Sequence, residues 1–262
     1  MGNSLGRPQN HPAGQFAHTF SGSRFTITAS AAGMSHRLTR GGLTAEYPVE
    51  YFIGSGNQGH SYLVRIGDYL FQSPASYYAR RRIWDVSPGY QRDGAPDFNR
   101  PVTVECLFCH AGRALAVSGT LNRYEDPPFA AETIGCDRCH GPPERHFAQP
   151  SAGNIVNPRN LKRRARDSIC EQCHLAGEAR IPNPGRAFQD FSAGHELEEV
   201  FSVYIGGKGF KVVSHAEQLA QSACARSSGS RMWCGSCHDP HQKPANPRQY
   251  FRERCLACHG AG

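Results

Sequence analysis

The sequence predicts an α+β protein with little regular secondary structure. A small β-rich module is expected over residues 1–105, and a loop-rich module over residues 106–262. The interior of the second module is not expected to be filled by side chains alone. Three observations predict this class. Hydrophobic residues make up only 39% of the 262 residues, which is lean for a chain of this length. The 28 glycines and 18 prolines favour loops, and strand-like alternation is concentrated in the first module.

The strand signals of the first module follow one another along the chain. Apolar and polar residues alternate over 23–30, which predicts a strand. A further strand is expected over 45–54. Segment 61–74 is typical of two short strands joined by a turn at residues 67–68.

A glycine pattern lies between two of these predicted strands. Gly54, Gly56 and Gly59 match the G-x-G-x-x-G pattern of dinucleotide-binding loops, but no helix signal follows them. The next residues are strand-like, so we interpret the segment as a glycine-rich loop that carries His60. In the second module, helices are expected over 215–227 and, shorter, over 167–179.

Ten of the eleven cysteines occur in five copies of C-x-x-C-H, the attachment signature of c-type haem. The predicted thioether cysteines are Cys106, Cys109, Cys136, Cys139, Cys170, Cys173, Cys234, Cys237, Cys255 and Cys258, and the predicted proximal iron ligands are His110, His140, His174, His238 and His259. We number these motifs 1 to 5 in chain order.

The spacing of the motif has a mechanical reason. Two residues between the cysteines place both sulfurs beside one edge of the macrocycle, and the next histidine then lies beneath the iron. Zinc ribbons, redox pairs and disulfides also use paired cysteines, but none of them needs a histidine after every pair. Five covalent haem c cofactors are therefore expected, and their apolar faces account for the lean composition.

Covalent haem also changes the meaning of the net charge of +7. Five haems bring about ten negative propionate charges, so the loaded protein is roughly +2 when oxidised and −3 when reduced. Basic runs at residues 78–84 and 161–167 are candidates for pairing with propionates. We therefore expect no nucleic-acid partner, and no stretch of 18 apolar residues predicts a membrane span.

Histidine is the expected sixth ligand of most irons, because the chain has 13 histidines and only 3 methionines. His241 follows His238 by three residues on the same side of that haem, so it should bind a neighbouring iron, and the same holds for His146 after His140. The distal candidates are His18, His60, His146, His215 and His241. His11, His36 and His195 are expected to be second-shell or surface groups, and Cys224 a buried thiol.

Motifs 4 and 5 have the shortest spacing, 21 residues between their first cysteines. So short a segment cannot shield two large apolar plates separately, so these two haems are expected to form a contacting pair.

The chain resembles the multihaem cytochromes c of the cytochrome c554-related group, some of which are fused to tetratricopeptide repeats. The resemblance rests on the segments CHGPPERH, VSHAEQLAQSAC, WCGSCHDPHQKP with YFRERCLACHG, YFIGSGNQGHSYL and GDYLFQSPASYY, and it covers most of residues 34–262. It implies bis-histidine haems in close-packed chains and electron transfer outside the cytoplasmic membrane. It also implies that His60, His146, His215 and His241 occupy distal-ligand positions. Relatives often carry a further motif before the segment resembling FAHTF and repeats after the last haem, which suggests a shortened form or a fragment.

The expected function is electron transfer through a chain of five haems. No apolar signal segment is visible at the beginning, yet haem attachment outside the cytoplasmic membrane implies export to the periplasm or beyond. The expected partners are redox proteins or extracellular electron acceptors. A shuttle is preferred over a filament of protomers joined end to end through terminal haems. The alternatives are a reductase of small nitrogen or sulfur oxyanions with one open iron, and a haem-bearing interaction module.

Overall fold

The computed structural model describes residues 5–8, 10–206 and 214–260. The chain divides into two compact units, Gly2–Ile134 and Gly135–Gly262. Motif 1 therefore shares a unit with the β-rich module that the sequence predicts, and motifs 2 to 5 share the other. The two units are described separately below.

The first unit contains eleven strands and one helix among its described residues. They are β1 (Leu5–Gly6), β2 (Gly14–His18), β3 (Ser23–Ser30), β4 (Gly33–Arg40), β5 (Leu43–Ile53), β6 (His60–Ile66), β7 (Tyr69–Tyr78), β8 (Ile83–Val86), β9 (Arg100–Pro101), α1 (Val104–His110), β10 (Arg113–Ala116) and β11 (Tyr124–Ala131).

The second unit is poorer in regular structure. Its described elements are α2 (Asp137–His140), α3 (Glu144–Ala148), α4 (Arg163–His174), β12 (Ala179–Pro182), β13 (Phe201–Tyr204), α5 (His215–Gln221), α6 (Ala223–Ser228), α7 (Cys234–Cys237) and α8 (Pro247–His259), with single 3₁₀ turns between them. A mixed α+β protein with few helices is thus what the structure shows, as the composition predicts.

A nine-stranded antiparallel sheet forms most of the first unit. Strands β2 to β8 pair in sequence order, while β1 joins β5 and β9 joins β7. The strands expected over 23–30 and 45–54 are confirmed as β3 and β5. The hairpin expected over 61–74 is confirmed as β6 and β7, whose register pairs Ile66 with Tyr69 across the two-residue turn.

Alternating side chains explain why this sheet forms. On β3, Phe25 and Ile27 are buried while Arg24 and Thr28 are exposed, and Phe25 lies opposite Leu38 of β4 in the register. Residues from β3 to β8 and the segment after β8 then form one apolar cluster on one face. Each large apolar side chain buried in this way contributes about 1.5–3 kcal/mol.

The opposite face of the sheet holds motif 1. Leu63 is buried between Tyr62 and Val64, but it packs into a second cluster that also contains Leu107 of α1 and Ala111 just after it. Both faces of β6 are thus covered, and Leu107, which lies between the cysteines of motif 1, attaches the motif to the sheet.

The glycine-rich loop between β5 and β6 leads directly into a strand, as the sequence predicts, and not into the helix that a dinucleotide-binding loop precedes. The glycines serve close packing instead. Gly54 and Gly56 have φ values of 126° and 77°, which other residues rarely adopt. A Cβ on Gly59 would lie 2.5 Å from the carbonyl oxygen of Tyr77.

Two helix predictions in the second unit need correction. The helix expected over 215–227 is broken into α5 and α6, because Ser222 is extended (ψ 149°) and its Oγ accepts a hydrogen bond from the N–H of Ala225 as the cap of α6. The helix expected over 167–179 begins earlier, at Arg163, and ends at His174. Where the chain is described, none of its helices combines the length and apolarity needed to cross a bilayer.

Candidate functional site

All five C-x-x-C-H motifs lie in or at the ends of helical segments. Motifs 1, 3 and 5 occupy the last turns of α1, α4 and α8, and motifs 2 and 4 coincide with the single turns α2 and α7. Helical spacing of three residues puts both cysteines of a motif on one face. None of the eleven cysteines, all of which lie in the described part of the chain, is in a disulfide, so each motif retains the two sulfurs that thioether attachment consumes.

Motif 1 is held by its helix cap and by the sheet. Thr103 caps α1, its Oγ1 accepting a hydrogen bond from the N–H of Cys106 at 3.4 Å. Desolvation lowers the pKa of His110, although the residue remains accessible to water. Partial enclosure with an open side is what an imidazole beneath a haem requires.

Motif 2 presents an imidazole that the backbone holds in place. The backbone of Val156 binds His140 twice: its carbonyl oxygen lies 2.7 Å from Nδ1, and its N–H donates to the His140 carbonyl oxygen at 3.1 Å. A carbonyl can only accept, so Nδ1 carries the proton and the lone pair is on Nε2. This is the tautomer that metal-bound histidines commonly show.

Motif 3 packs directly against motif 2. The Gln172 side chain, buried on α4, donates to the carbonyl oxygen of Arg138 at 3.0 Å and to that of Ile169 at 2.8 Å. Gln172 lies between the cysteines of motif 3, and Arg138 lies between those of motif 2. The bond therefore joins the two attachment segments themselves.

Motif 4 contacts motif 3 through sulfur. A hydrogen bond to Cys234 raises the pKa of the Cys170 thiol, which places the first cysteines of these motifs side by side. The guanidinium of Arg166 on α4 lies 4.9 Å from the ring centroid of Trp233, directly before motif 4. These contacts join segments that are more than sixty residues apart in sequence.

Motif 5 approaches motif 4 from the end of α8. The ring of Phe251 on α8 lies 5.2 Å from that of His238. Burial raises the pKa of Cys237, and Cys255, Cys224 and Cys258 raise it further, so these thiols lie close together.

Two pairs of imidazoles meet in the second unit. The ring centroids of His140 and His241 are 5.8 Å apart, with their planes at 20°. Those of His174 and His215 are 5.0 Å apart, with their Nδ1 atoms at 3.2 Å. Each pair combines a predicted proximal ligand with a predicted distal candidate from a remote segment.

A cavity of about 360 Å³ adjoins the second pair. Leu175 and Ala216, which directly follow His174 and His215, lie in its wall, as does Phe201. Four charged residues also line this cavity, so the space near the two imidazoles has both apolar and polar walls. They are Arg164, Glu171, Glu198 and Glu217.

His60 also has an imidazole neighbour, but it is not a predicted proximal ligand. His60 stacks on His11 with ring centroids 4.4 Å apart, and its Nδ1 is buried without a hydrogen-bond partner. Burial, assisted by the His60 charge, lowers the pKa of His11 to about 4. The His11 Nδ1 lies 2.8 Å from the hydroxyl of Tyr62.

The remaining distal candidates differ in how their rings are held. The Nδ1 of His18 lies 2.8 Å from Ser21 Oγ and its Nε2 3.2 Å from the Gln91 carbonyl oxygen, so both nitrogens are engaged. The Nδ1 of His146 lies 3.1 Å from the carbonyl oxygen of Ser151. His146 therefore has the protonated Nδ1 seen for His140, which directs its lone pair to Nε2.

Two expectations about residues outside the predicted ligand sets require correction. Cys224, expected to be a buried thiol, is exposed, because it lies on the short helix α6, which buries none of its residues. His36, expected to be a second-shell or surface group, is in the core of the sheet, 1% exposed, with Nδ1 2.7 Å from Ser73 Oγ. His195 is at the surface, as expected, beside Glu199.

The basic run at residues 161–167 is used within the protein. Arg164 pairs with Glu171 at 2.6 Å and also with Glu198, while Arg163 and Arg166 both lie beside Asp167. These arginines already neutralise carboxylates of the chain, which weakens their candidacy as partners of haem propionates.

The donor set has the composition that a covalently attached haem would need. Over residues 5–8, 10–206 and 214–260, no three His, Cys, Asp or Glu side chains form a group that could hold a metal ion. Haem iron takes four ligands from its macrocycle and needs only two from the protein. Paired imidazoles next to paired thiols supply those two ligands and the attachment points.

Comparison with known proteins adds little to this description. No protein-family model matches the chain, and no curated protein matches it. The crystal structure of an outer cell wall cytochrome, OcwA, is similar over 62% of this chain, at 20% identity and a TM-score of 0.34. This chain covers 32% of that protein, and a likeness of this degree carries no argument about fold or function.

Proposed function

We propose that this protein carries electrons through five covalently bound c-type haems. The observation that carries the proposal is the fivefold C-x-x-C-H motif, which uses ten of the eleven cysteines. The paired imidazoles of His140 and His241 support it, since two imidazoles are the ligand set of a six-coordinate haem. We also propose that the chain is related to the cytochromes of the cytochrome c554-related group.

The chain's own residues perform three tasks in this function. The ten motif cysteines attach the macrocycles, and His110, His140, His174, His238 and His259 bind the irons from the proximal side. Distal histidines, from His18, His60, His146, His215 and His241, close the sixth positions. When bound, haem supplies a one-electron couple, and histidine on both sides favours low potentials relative to methionine ligation.

The packing of motifs 2 to 5 against one another favours transfer between their cofactors. Motif 3 contacts motif 2 through Gln172 and motif 4 through Cys170, and motif 5 contacts motif 4 through Phe251. Attachment segments in direct contact hold their cofactors near each other, so an electron needs no mobile intermediary within this unit.

We also propose that the protein is exported and works in the periplasm or outside the cell. Its partners there are redox proteins or extracellular electron acceptors. A shuttle and an end-to-end filament are distinguished by sedimentation of the purified protein. A shuttle sediments at one protomer mass at all concentrations, whereas a filament grows with concentration.

Mass spectrometry of the denatured protein, produced with a haem-attachment system, tests the proposal. The expected mass is that of the chain plus five haems. A variant with Cys255→Ala and Cys258→Ala should carry four, while Cys224→Ala should still carry five. Native protein that contains zinc or no haem would refute the proposal.

The reductase alternative makes a different prediction for the same preparation. An enzyme needs an iron with an open sixth position, which gives a high-spin ferric EPR signal. A carrier with histidine on every iron gives low-spin signals alone. A high-spin iron that binds nitrite or sulfite would favour the reductase.

A further inference from the structure

We infer that His241, from the segment after motif 4, is the sixth ligand of the iron attached at motif 2, opposite His140. This inference rests on the proposed function and assigns one distal histidine to one haem.

The separation of the two rings is the first argument. Metal–imidazole bonds are roughly 2 Å long, so two imidazoles on opposite sides of one iron have centroids roughly 6 Å apart. The centroids of His140 and His241 are 5.8 Å apart, and their planes differ by 20°. The rings of His174 and His215 are closer, at 5.0 Å, and would have to separate to admit an iron.

The orientation of the rings is the second argument. The Nδ1 of His140 donates to the Val156 carbonyl oxygen, which leaves Nε2 as the ligating atom. On the other ring, the Asp239 carboxylate accepts the backbone N–H of His241 at 2.9 Å and lies 3.6 Å from its Nδ1. A carboxylate near Nδ1 favours the proton there and the lone pair on Nε2.

Chain geometry excludes the nearest alternative iron. His238, the proximal residue of motif 4, is only three residues before His241, and Asp239 and Pro240 lie between them. So short a connection cannot pass around the edge of a macrocycle to its opposite face. His241 therefore cannot bind the iron that His238 binds.

The assignment makes motif 4 the centre of the second unit. His241 would join it to the haem of motif 2, Cys234 lies beside Cys170 of motif 3, and His238 contacts Phe251 beside motif 5. The haem of motif 4 would then have three neighbours, so the order of the haems in space differs from their order in sequence.

His241→Ala tests the assignment in the full chain loaded with haem. One of the five irons should become high-spin by EPR, and added imidazole should restore its low-spin signal. His195→Ala is the control, because His195 is exposed on the same unit and should leave every iron low-spin. If His241→Ala leaves all five low-spin, the inference is wrong, whereas a mass lacking haem would refute the proposed function itself.

Two variants identify the affected iron. In a Cys136→Ala, Cys139→Ala background, which lacks the haem of motif 2, adding His241→Ala should create no further high-spin iron. In His140→Met, the charge-transfer band of a methionine-ligated ferric haem should appear, and adding His241→Ala should abolish it. A high-spin iron that arises in the first background, or a methionine band that survives in the second, overturns the assignment.

Discussion

The imidazole of His140 shows how a single backbone position can orient a side chain. Val156 both accepts from its Nδ1 and donates to its carbonyl oxygen, so the ring and the turn that carries it are held together. No charged group is needed for this orientation. The same device, a carbonyl oxygen at Nδ1, recurs at His146 with Ser151.

His36 leads to a prediction about acid sensitivity. Burial lowers the pKa of His36 to about 3, whereas the unfolded chain takes up this proton near pH 6.5. Between these values the unfolded state binds more protons, so stability falls as the pH falls through this window. From pH 7 to pH 5, His36 should cost about 2 kcal/mol of unfolding free energy.

Urea unfolding of the first unit at pH 7 and pH 5 measures this effect. Between pH 7 and pH 5, the free energy of unfolding of His36→Gln should fall by about 2 kcal/mol less than that of the unmodified protein. The lowered pKa values of His11 and His60 act in the same direction in both proteins and cancel in the comparison. His195→Gln, at the surface, should match the unmodified protein, and equal losses in all three would contradict the prediction.

At the scale of single elements, helix α1 shows how an attachment motif is anchored. Leu107, an interior residue of motif 1, is buried with Leu63 and Leu70 on one face of the sheet. The cysteines on either side remain accessible, as thioether formation requires. One helical turn thus buries Leu107 and Phe108 and leaves both cysteines accessible.

The glycine-rich loop before β6 gives a prediction about an element. Alanine at Gly59 would place its Cβ 2.5 Å from the Tyr77 carbonyl oxygen and 3.2 Å from the Tyr78 Cα, both backbone atoms of β7. Such overpacking typically costs about 1–3 kcal/mol. Gly59→Ala should therefore lower the urea midpoint, whereas Gly94→Ala, where a Cβ meets nothing within 4 Å, should leave it unchanged. Equal midpoints for the two variants would exclude this role of Gly59.

The strands could be predicted more fully than the helices, and the reason is physical. The alternation of Phe25 and Ile27 with polar neighbours is a local pattern that only a half-buried strand satisfies. At Ser222 the chain could either continue the first helix or cap a second one, and the structure shows the cap. The helix propensities of the neighbouring residues predict this outcome only weakly. The core position of His36 was missed because an imidazole in a strand is more common at a surface than beneath Tyr62 and Trp84.

At the scale of the whole molecule, the contact between the haems of motifs 4 and 5 stays a prediction. The proximity of Cys237 to Cys255 and Cys258 supports it. The circular dichroism of the Soret band should show exciton splitting that is reduced in a Cys255→Ala, Cys258→Ala variant and retained in Cys224→Ala. Splitting that survives loss of the fifth haem would show that another pair produces it.

The contact between motifs 3 and 4 shows that a short linker is not the only route to neighbouring attachment segments. Cys170 and Cys234 are hydrogen-bonded although 64 residues separate them. A short linker therefore favours contact but does not make it exclusive, because folding brings remote segments together at the same distances.

The sequence by itself determined the five candidate attachment sites and their proximal histidines. The geometry of C-x-x-C-H lies within one helical turn, so no other part of the chain is needed to recognise it. Only the tertiary structure decided which imidazoles meet. His140 and His241 come from segments a hundred residues apart, and the side chain of Gln172 reaches motif 2 only when α4 is packed in place. Contacts between remote segments depend on how the whole unit packs, and a local pattern of residues cannot predict that packing.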